Sequence, residues 1–411
     1  MQVLIVAEHA STQFGGEAFL PLNYFRLLRK RNIDTWLVVH QRTQTELESL
    51  FPEEFNRMHF IPDTWVHRLL CHLGAFLPRR LAFMTVGLIS NLYTQSLQRQ
   101  IVRELVKQNN IDIVHQTIPV SPKFPSLIFD VGTPVVIGPM NGGMDYPPSF
   151  NHQSWFVDLT MFVGRKFSNF VNYLVPGKLK ADVLLVANER TKQALPAGHK
   201  KTILELVENG VDLSIWQNSK SYLAKANQST RFIFIGRLVD WKAIDLLLEA
   251  FSVVAANCDS CLEIIGDGKQ RKQLEAQTLQ LGLSQKVTFC GYLSQKECAA
   301  KLEEADVFVL PSLLECGGAV VLEAMSMGIP VIATKWGGPV DYLDESCGIL
   351  IEPTSKAVLV KGFINAMQKL AQEPQLRLQL GEAAKERVRQ HFDWERKIDR
   401  ILEIYDLATQ K

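Results

Sequence analysis

The sequence predicts two doubly wound α/β domains, each built on a parallel sheet. The chain has 411 residues, more than one typical core encloses. Short runs rich in Val, Ile and Leu alternate with helical stretches in both halves. Buried strands separated by helices indicate parallel βαβ units. A polar stretch without clear periodicity, residues 214–229, separates the two halves and predicts a linker.

The first half supplies the clearest alternation. A helix that follows Gly15-Gly16 and runs to Lys30 separates the first two predicted strands. Later strands are predicted from the same pattern of buried apolar runs. The predicted strands of this half are residues 3–8, 35–40, 58–61, 111–115, 134–138 and 182–188.

Composition excludes several classes of protein. Hydrophobic residues make up 47% and charged residues 21%, as in an ordinary globular protein, and the net charge of +1 lacks the basic excess of a nucleic-acid binder. Residues 1–8 form a short apolar run without a basic start, so they predict a strand rather than a signal peptide. Cys258 and Cys261 form a lone CxxC pair, which predicts reduced thiols in the cytoplasm and no metal.

The most informative stretch is residues 311–343. A predicted strand at 306–310 leads through a loop with Gly317 and Gly318 into a helix at 319–327, and a further strand follows at 331–334. The first turn of a helix presents unpaired N–H groups, and glycines let a ligand approach the backbone. Glu315 and Glu323 stand on either side, and carboxylates accept hydrogen bonds from sugar hydroxyls.

Two cations follow the predicted strand at 231–236. Arg237 and Lys242 lie five positions apart, just before a helix. Because the carboxyl ends of parallel strands meet at one edge of a sheet, we expect both to face the same cleft as Glu315. Arginine binds phosphate oxygens bidentately, and lysine acts as a point charge. The alternative is a pair of solvated surface cations.

The string from Glu315 to Ala333 resembles the signature of retaining glycosyltransferases of family four, which have the GT-B fold. The family pattern of Glu, seven residues and Glu, then Ala-Met-x-x-Gly-x-Pro-Val-Ile-Ala, is matched here by Glu315, Glu323 and residues 324–333. The family motif Gly-Arg-Leu-x-x-x-Lys-Gly is matched from Gly236, with Ala243 in place of the last glycine. The resemblance is strong over the second half and extends to the first half only in layout and loops.

The resemblance implies a role for each matched position. Arg237 and Lys242 would hold the donor diphosphate, Glu323 would accept from the ribose hydroxyls, and Glu315 from those of the donor sugar. It also adds Gly15, Gly16, Gly266 and Asp267 as donor-binding residues, although a simple turn explains either glycine loop equally well. The amides near sugar and phosphate would be those of Gly317, Gly318 and Ala319.

The chain departs from the family pattern at two places. Cys316-Gly317-Gly318 replaces the usual Gly-Phe-Gly, which keeps the close approach but changes the surface offered to the sugar. Relatives carry a functional histidine where this chain has Thr117, and His115 lies two positions earlier. His115 either takes over the catalytic role or is a core histidine with satisfied hydrogen bonds, and the sequence leaves both open.

Three further stretches concern the acceptor. The Gly/Pro loop at 137–148 resembles a family loop that shapes the acceptor site, and its Asp145 reads more simply as a turn cap. The basic, apolar runs at 65–105 and 155–180 are either domain-packing helices or helices that lie on an anionic membrane surface. No apolar run in the first of these is long enough to span a bilayer.

The resemblance implies an acceptor-binding domain at 1–207, a nucleotide-sugar-binding domain at 208–391 and a terminal helix, 392–411, that crosses back to the first. The resemblance implies a retaining, metal-independent hexosyltransferase that uses a nucleoside diphosphate sugar and no cofactor. Its acceptor would be a sugar, glycan or lipid-linked glycan, in polysaccharide or glycolipid synthesis. The alternatives are a non-catalytic subunit that binds nucleotide sugar and a GT-B nucleotide-sugar epimerase or phosphorylase-like protein.

Overall fold

The computed structural model describes residues 1–14, 16–77, 82–150, 167–199, 201–216 and 229–410. Its contacts divide the chain into two compact units. The first holds the chain up to Gly143, the later described residues up to Glu208, and the residues from Ile398 onward. The second holds Asn209–Lys397 together with residues 144–150. This last short stretch lies among the residues that we assigned to the first domain.

The described strands of the first unit form one parallel sheet of seven, in the order β3-β2-β1-β4-β5-β6-β7. Their side chains are largely aliphatic and buried, as expected for a sheet covered by helices on both faces. The strand order reverses between β1 and β4. The strands are β1 (Gln2–Val6), β2 (Asp34–His40), β3 (Met58–Ile61), β4 (Ile113–Gln116), β5 (Val135–Met140), β6 (Val183–Val186) and β7 (Thr202–Glu205).

The helices of the first unit alternate with these strands. Short 3₁₀ turns follow β2 and precede β3. A π-helical turn at Phe83–Gly87 leads into the helix at Leu88–Asn109. Residues 167–174 are also helical. The labelled helices are α1 (Gly16–Lys30), α2 (Gln44–Leu50), α3 (Trp65–Ala75), α4 (Leu88–Asn109), α5 (Gly177–Lys180) and α6 (Glu189–Gln193).

The second unit contains a parallel sheet of six described strands in the order β10-β9-β8-β11-β12-β13. This order reverses between β8 and β11. The strands are β8 (Thr230–Ile235), β9 (Ser260–Ile265), β10 (Val287–Gly291), β11 (Val307–Leu310), β12 (Val331–Thr334) and β13 (Gly348–Ile351). The helices are α7 (Ile244–Asn257), α8 (Arg271–Gln280), α9 (Gln295–Glu304), α10 (Ala319–Ser326), α11 (Gly338–Tyr342), α12 (Lys356–Gln372) and α13 (Pro374–His391).

The final helix, α14 (Trp394–Thr409), starts in the second unit and continues in the first from Ile398 onward. The predicted return of the chain to its first half is therefore confirmed. Among the described residues, no helix combines the length and the apolar character that crossing a membrane requires. The linker predicted at 214–229 falls mostly on residues 217–228, which lie outside the described residues.

Two local differences from the predicted elements have clear causes. The strand expected at 182–188 ends at Val186 because the Asn188 side chain accepts a hydrogen bond of 2.9 Å from the amide of Thr191 and caps α6. The edge strand β7 was not predicted. Its apolar run is only Ile203-Leu204, and none of its four residues is fully buried, so it lacks the buried apolar run from which the other strands were predicted.

Candidate functional site

The candidate site of the second unit lies at the carboxyl ends of its central strands. β8 pairs in parallel with both β9 and β11, and β11 pairs with β12. The loops that follow these strands therefore emerge at one edge of the sheet, on either side of the point where the strand order reverses. Ligands of open α/β sheets bind at such a point. The loops after β8 and β11 carry Arg237, Lys242 and Glu315.

Helix α10 begins where the loop after β11 ends. Gly318 is its N-cap, with a φ of +77°, and a Cβ added there would lie 3.0 Å from Cγ of Glu315. A side chain at this position would therefore be strained and would crowd the glutamate. At the other end Gly328 donates to the carbonyl of Met325 and closes the helix. The first turn of α10 is thus held against the loop that contains Glu315.

Lys242 and Glu315 form an ion pair between Nζ and Oε2, although 73 positions separate them in the chain. Their side chains are only 10% and 14% exposed. Lys242 ends a 3₁₀ turn, Asp240–Lys242, that is joined to the loop after β11 by a hydrogen bond of 2.8 Å from the Leu313 amide to the Trp241 carbonyl. The two loops therefore hold the cation and the acid together in a partly dehydrated place.

Arg237 lies in the same loop as Lys242 but its side chain is exposed. Its guanidinium carbon is 5.8 Å from the centre of the Trp241 ring, a cation–π distance. Contact with the ring restricts the arginine, and exposure leaves its N–H groups accessible to a ligand.

The loop after β9 supports the cationic loop through its backbone. The Leu238 amide donates to the Asp267 carbonyl at 3.0 Å, and a Cβ on Gly266 would lie 2.0 Å from the Gly236 carbonyl oxygen. Only glycine fits that approach. The Asp267 side chain is exposed and accepts a hydrogen bond from the Gly268 amide at 2.7 Å. Gly266 and Asp267 thus hold the loop that contains Arg237 and Lys242.

A fourth loop, after β12, was missed from the sequence. A Cβ on Gly338 would lie 1.9 Å from the Gly317 carbonyl oxygen, and the Gly338 amide donates to the Glu315 carbonyl at 2.7 Å. The indole of Trp336 donates to the Asp145 carbonyl at 2.8 Å, which joins residues 144–150 to this unit. The Gly337-Gly338 pair after a buried strand was the signal available, the same signal that drew attention to Gly317-Gly318.

Glu323 lies on α10 and is partly buried. Burial raises the pKa of its carboxyl group to about 7. Burial and then the nearby charge of Glu323 raise the pKa of the Cys298 thiol, on α9, to about 11. Among the described residues, no side chain forms a salt bridge with Glu323.

The remaining predicted site residues lie in the first unit. Gly15 lies outside the described residues, and Gly16 is the exposed first residue of α1. The loop before it is tied to Glu46 of α2, whose carboxylate accepts from Ser11 Oγ at 2.5 Å and from the Thr12 amide at 2.7 Å. Glu46 is a residue that the sequence reading did not single out.

His115 is fully buried in β4. Its Nε2 lies 2.6 Å from the carbonyl oxygen of Gly138, so this nitrogen carries the proton, and Nδ1 accepts from the Tyr405 hydroxyl at 2.6 Å. Both ring nitrogens are therefore occupied, which favours the structural one of the two alternatives. Thr117 is also buried, and its hydroxyl has no hydrogen-bond partner among the described residues.

The comparisons with known proteins agree with this geometry. Residues 217–387 match the family described as Glycosyl transferases group 1. The chain contains a glycosyl transferases group 1 domain. The candidate loops after β8, β9, β11 and β12 all lie inside it.

Curated relatives match part of the chain. An uncharacterized glycosyltransferase of Methanocaldococcus jannaschii is 26% identical over 217 residues, 50% of this chain and 55% of that protein. A D-inositol 3-phosphate glycosyltransferase of Rhodococcus opacus is 30% identical over 50% of this chain and 48% of that protein. The chain thus spans about half the length of the curated relatives that it matches.

Solved structures match the whole chain in fold. The HepE protein of Anabaena, solved in complex with UDP, is 17% identical with a TM-score of 0.68 over 99% of this chain and 100% of that chain. Sucrose-phosphate synthase from Thermosynechococcus elongatus is 18% identical with a TM-score of 0.69 over 99% of both chains. The GT-B fold predicted from the sequence is confirmed.

Proposed function

We propose that the chain is a retaining glycosyltransferase that moves a hexose from a nucleoside diphosphate sugar to an acceptor hydroxyl. The observation that carries this proposal is the meeting of Lys242 and Glu315, with Arg237 in the same loop, at the reversal point of the second sheet. A cation and an acid side by side suit a ligand that has a phosphate next to a sugar. The match of residues 217–387 to glycosyl transferases group 1 supports the same reading.

The cations act on the leaving group. When the bond between the anomeric carbon and the diphosphate breaks, the departing oxygen gains negative charge. Arg237 donates N–H groups from an exposed position, and Lys242 adds a charge in a partly dehydrated one. Two side-chain cations at this place supply the charge that a divalent ion supplies in other transferases, so we propose that the reaction is metal-independent.

The acids act on hydroxyl groups. In this proposal Lys242 turns from Glu315 to the diphosphate, and Glu315 accepts hydrogen bonds from the donor sugar instead. Glu323 accepts from the ribose hydroxyls, while the amides of Gly317, Gly318 and Ala319 lie near sugar and phosphate. Gly266 and Asp267 hold the cationic loop, and Gly15 and Gly16 are kept as proposed donor-binding residues.

Retention of configuration follows from attack on the face that the leaving group occupies. The acceptor oxygen forms a bond to the anomeric carbon as the bond to the diphosphate oxygen breaks. The acceptor proton passes to that departing oxygen, so no side-chain nucleophile and no separate base are needed. This route does not use His115, whose ring nitrogens are engaged by Gly138 and Tyr405.

The names of similar proteins guide the choice of donors and acceptors. Anabaena HepE was solved with UDP-glucose, and a similar enzyme of Corynebacterium glutamicum is named a GDP-mannose-dependent mannosyltransferase. We therefore propose uridine or guanosine diphosphate hexoses as donors. Sugars, glycans or lipid-linked glycans are the proposed acceptors, and the free thiols suit a cytoplasmic reaction.

Donor turnover tests the proposal directly. We expect Lys242→Ala and Glu315→Ala each to lower hydrolysis or transfer of the active donor by about 100-fold or more, because each removes a group that contacts the reacting sugar diphosphate. Lys356→Ala is the matched control, since it removes an exposed lysine that pairs with Glu249 in the same unit. Turnover is measured across UDP- and GDP-hexoses with and without EDTA. Wild-type rates in both site variants contradict the assignment.

A second candidate is a subunit that binds nucleotide sugar without transferring it. The observation that favours it is the commitment of His115 to the core together with Thr117 at the position of the family histidine. Calorimetry separates the two candidates. Donor binding with neither hydrolysis nor transfer to any acceptor of a wide panel supports the binding subunit. Measurable turnover excludes it.

We also propose that the first unit associates peripherally with an anionic membrane surface. One face of α3 exposes large apolar side chains, with Trp65 70% and Phe76, just beyond the helix, 75% exposed. The helical residues 167–174 expose Phe167, Phe170 and Tyr173. Neither Asp nor Glu occurs between residues 64 and 103 or between residues 159 and 181, although both stretches carry arginine or lysine. An apolar, acid-free surface with cations suits anionic lipid.

A further inference from the structure

A pocket of about 500 Å³ opens on the inner side of α3 in the first unit. The ends of β2 and β3 provide one wall, α3 provides the second, and the π-helical turn with the start of α4 provides the third. No predicted site residue lies in it. Its lining is Arg42, Asp63, His67, Arg68, Leu70, Cys71, Gly74, Ala82, Val86, Gly87 and Ser90.

The lining has an apolar and a charged part. Leu70, Gly74, Ala82 and Val86 form the apolar part, and a Cβ added to Gly74 would lie 3.8 Å from Val86. The charged part contains Arg42 and Arg68, with Asp63 as the one acid of the lining. Asp63 lies 4.0 Å from an Arg42 nitrogen, a loose pair, and Arg68 has no salt bridge among the described residues. This division suits a molecule with an apolar chain and an anionic group.

His67 forms the rigid wall of the pocket and is the one buried residue of α3. Its Nδ1 accepts from the Thr64 amide at 3.2 Å, and its Nε2 lies 3.0 Å from the Thr94 hydroxyl. Burial lowers the pKa of the His67 ring, so the ring adds no charge at neutral pH. The net charge of the lining is therefore set by Arg42, Arg68 and Asp63.

His40, Asp63 and His67 lie close enough together to suggest a metal site, with possible ligand atoms within 4.8 Å of one another. Hydrogen bonding argues against it. His40 Nδ1 accepts from the Arg42 amide at 3.2 Å, so the neutral ring carries its proton on Nε2, the nitrogen that faces Asp63. Both nitrogens of His67 are also engaged. The lining is therefore suited to an anion rather than to a cation.

We propose that this pocket binds the acceptor, and that the acceptor is an amphiphile with an apolar chain and a phosphate group. The apolar chain of the ligand lies along Leu70, Gly74 and Val86, and its phosphate group contacts Arg42 and Arg68. The outward face of the same helix carries Trp65 and Leu69, so an acceptor held in a lipid surface reaches the pocket at α3. This inference rests on the proposed function, because it names the acceptor class of the proposed transferase.

Two exposed cysteines allow the inference and the proposed function to be tested separately. Cys71 lines the pocket, and Cys316 follows Glu315 in the proposed donor site. The full chain is alkylated with N-ethylmaleimide, and the rate at each thiol is followed by peptide mass spectrometry. We expect monomeric dodecyl phosphate to slow alkylation of Cys71 at least ten-fold and not that of Cys316. UDP or GDP should slow alkylation of Cys316 and not that of Cys71.

Variants decide whether the pocket itself is responsible. Arg42→Gln combined with Arg68→Gln should abolish protection of Cys71, and Gly74→Leu should do the same by filling the pocket. Arg389→Gln, at an arginine that is 65% exposed in the second unit, is the matched control and should keep the protection. Thermal unfolding verifies that each variant is folded, and the arginine pair keeps the test valid where Gly74→Leu does not fold.

Three results overturn the inference. The first is unchanged alkylation of Cys71 in dodecyl phosphate, and the second is equal protection of Cys71 by the uncharged dodecyl maltoside. The third is protection of Cys71 by anionic phospholipid vesicles but not by monomeric dodecyl phosphate. The last result identifies a lipid surface rather than a single bound amphiphile. Failure of both nucleotides to protect Cys316 counts instead against the donor site. The result at Cys71 then still decides whether the pocket binds the amphiphile.

Discussion

Lys242 and Glu315 show how far single residues could be predicted. Their types and their places after buried strands pointed to one edge of a sheet, and the structure brings them into contact. The contact itself was not predictable, because both had been expected to bind a ligand rather than each other. In the structure each acts as the counterion that the other needs in a partly dehydrated place.

His115 marks the limit of prediction at this scale. The sequence offered two roles for it, and nothing in residues 111–119 distinguished them. The decisive partner, Tyr405, lies 290 positions away in the final helix. Hydrogen bonds between distant segments leave no local pattern of residues.

Glu323 gives a prediction about pH. Its pKa is raised to about 7 by burial, so the folded chain holds this proton over a range in which the unfolded chain, with a value near 4.5, has lost it. Its contribution to stability is therefore present at low pH and is lost as pH rises through 7. Glu323→Gln removes this loss, and we expect it to raise the free energy of unfolding near pH 8 by roughly 3 kcal/mol.

Urea unfolding of wild type and Glu323→Gln between pH 4 and pH 8 measures this effect. The two stabilities should converge at pH 4. Glu382→Gln, at an exposed acid of α13, is the control and should follow the wild type at every pH. Parallel curves for Glu323→Gln and wild type contradict a raised carboxyl pKa.

At the scale of single elements, α14 is fastened to the first unit by a buried hydrogen bond. Tyr405 is fully buried, and its hydroxyl donates to His115 Nδ1. Tyr405→Phe leaves that nitrogen without a donor inside the core. We expect the free energy of unfolding to fall by about 1 to 3 kcal/mol.

The matched control is Tyr173→Phe, which removes the same hydroxyl from a side chain that is 75% exposed. It should change stability by less than about 0.5 kcal/mol. Urea unfolding followed by tryptophan fluorescence compares the two. Equal effects of both substitutions show that the bond to His115 contributes nothing to the docking of α14.

Helix α3 could not be interpreted from its sequence. Its eleven residues include one arginine and two histidines beside large apolar side chains, a basic and apolar pattern. In the structure only His67 is buried, and Leu69 and Leu73 are about half exposed. Two readings, packing between domains and contact with lipid, gave the same residue pattern, so the sequence left both open.

At the scale of the whole molecule, the two sheets were predictable because each strand is a compact apolar run between helices. The grouping of residues 144–150 with the second unit was not, since it depends on the Trp336 indole and the Asp145 carbonyl. The proposed donor residues Arg237, Lys242 and Glu315 were found because they follow strands. The pocket at Arg42 and Arg68 was missed, because its lining comes from four separate segments.

The proposed membrane surface gives a prediction for the intact chain. In flotation, we expect binding to vesicles of phosphatidylcholine with anionic phosphatidylglycerol, little binding to phosphatidylcholine alone, and weaker binding at high salt. Trp65→Ser with Phe76→Ser should lower binding at least ten-fold. Leu279→Ser with Tyr292→Ser removes two comparably exposed side chains from the second unit and is the control. No affinity for anionic vesicles in the wild type excludes peripheral association.

The ion pair between Lys242 and Glu315 also restricts which ligands the proposed donor site can bind. A plain monosaccharide that displaced the lysine from Glu315 would leave the Lys242 ammonium group without a counterion. A sugar that carries its own diphosphate supplies a new anion to Lys242 and hydroxyl donors to Glu315. The proposed donor site should therefore discriminate against free hexoses. Inhibitors built from the sugar alone should fail here, and compounds that join a polyol to an anion should succeed.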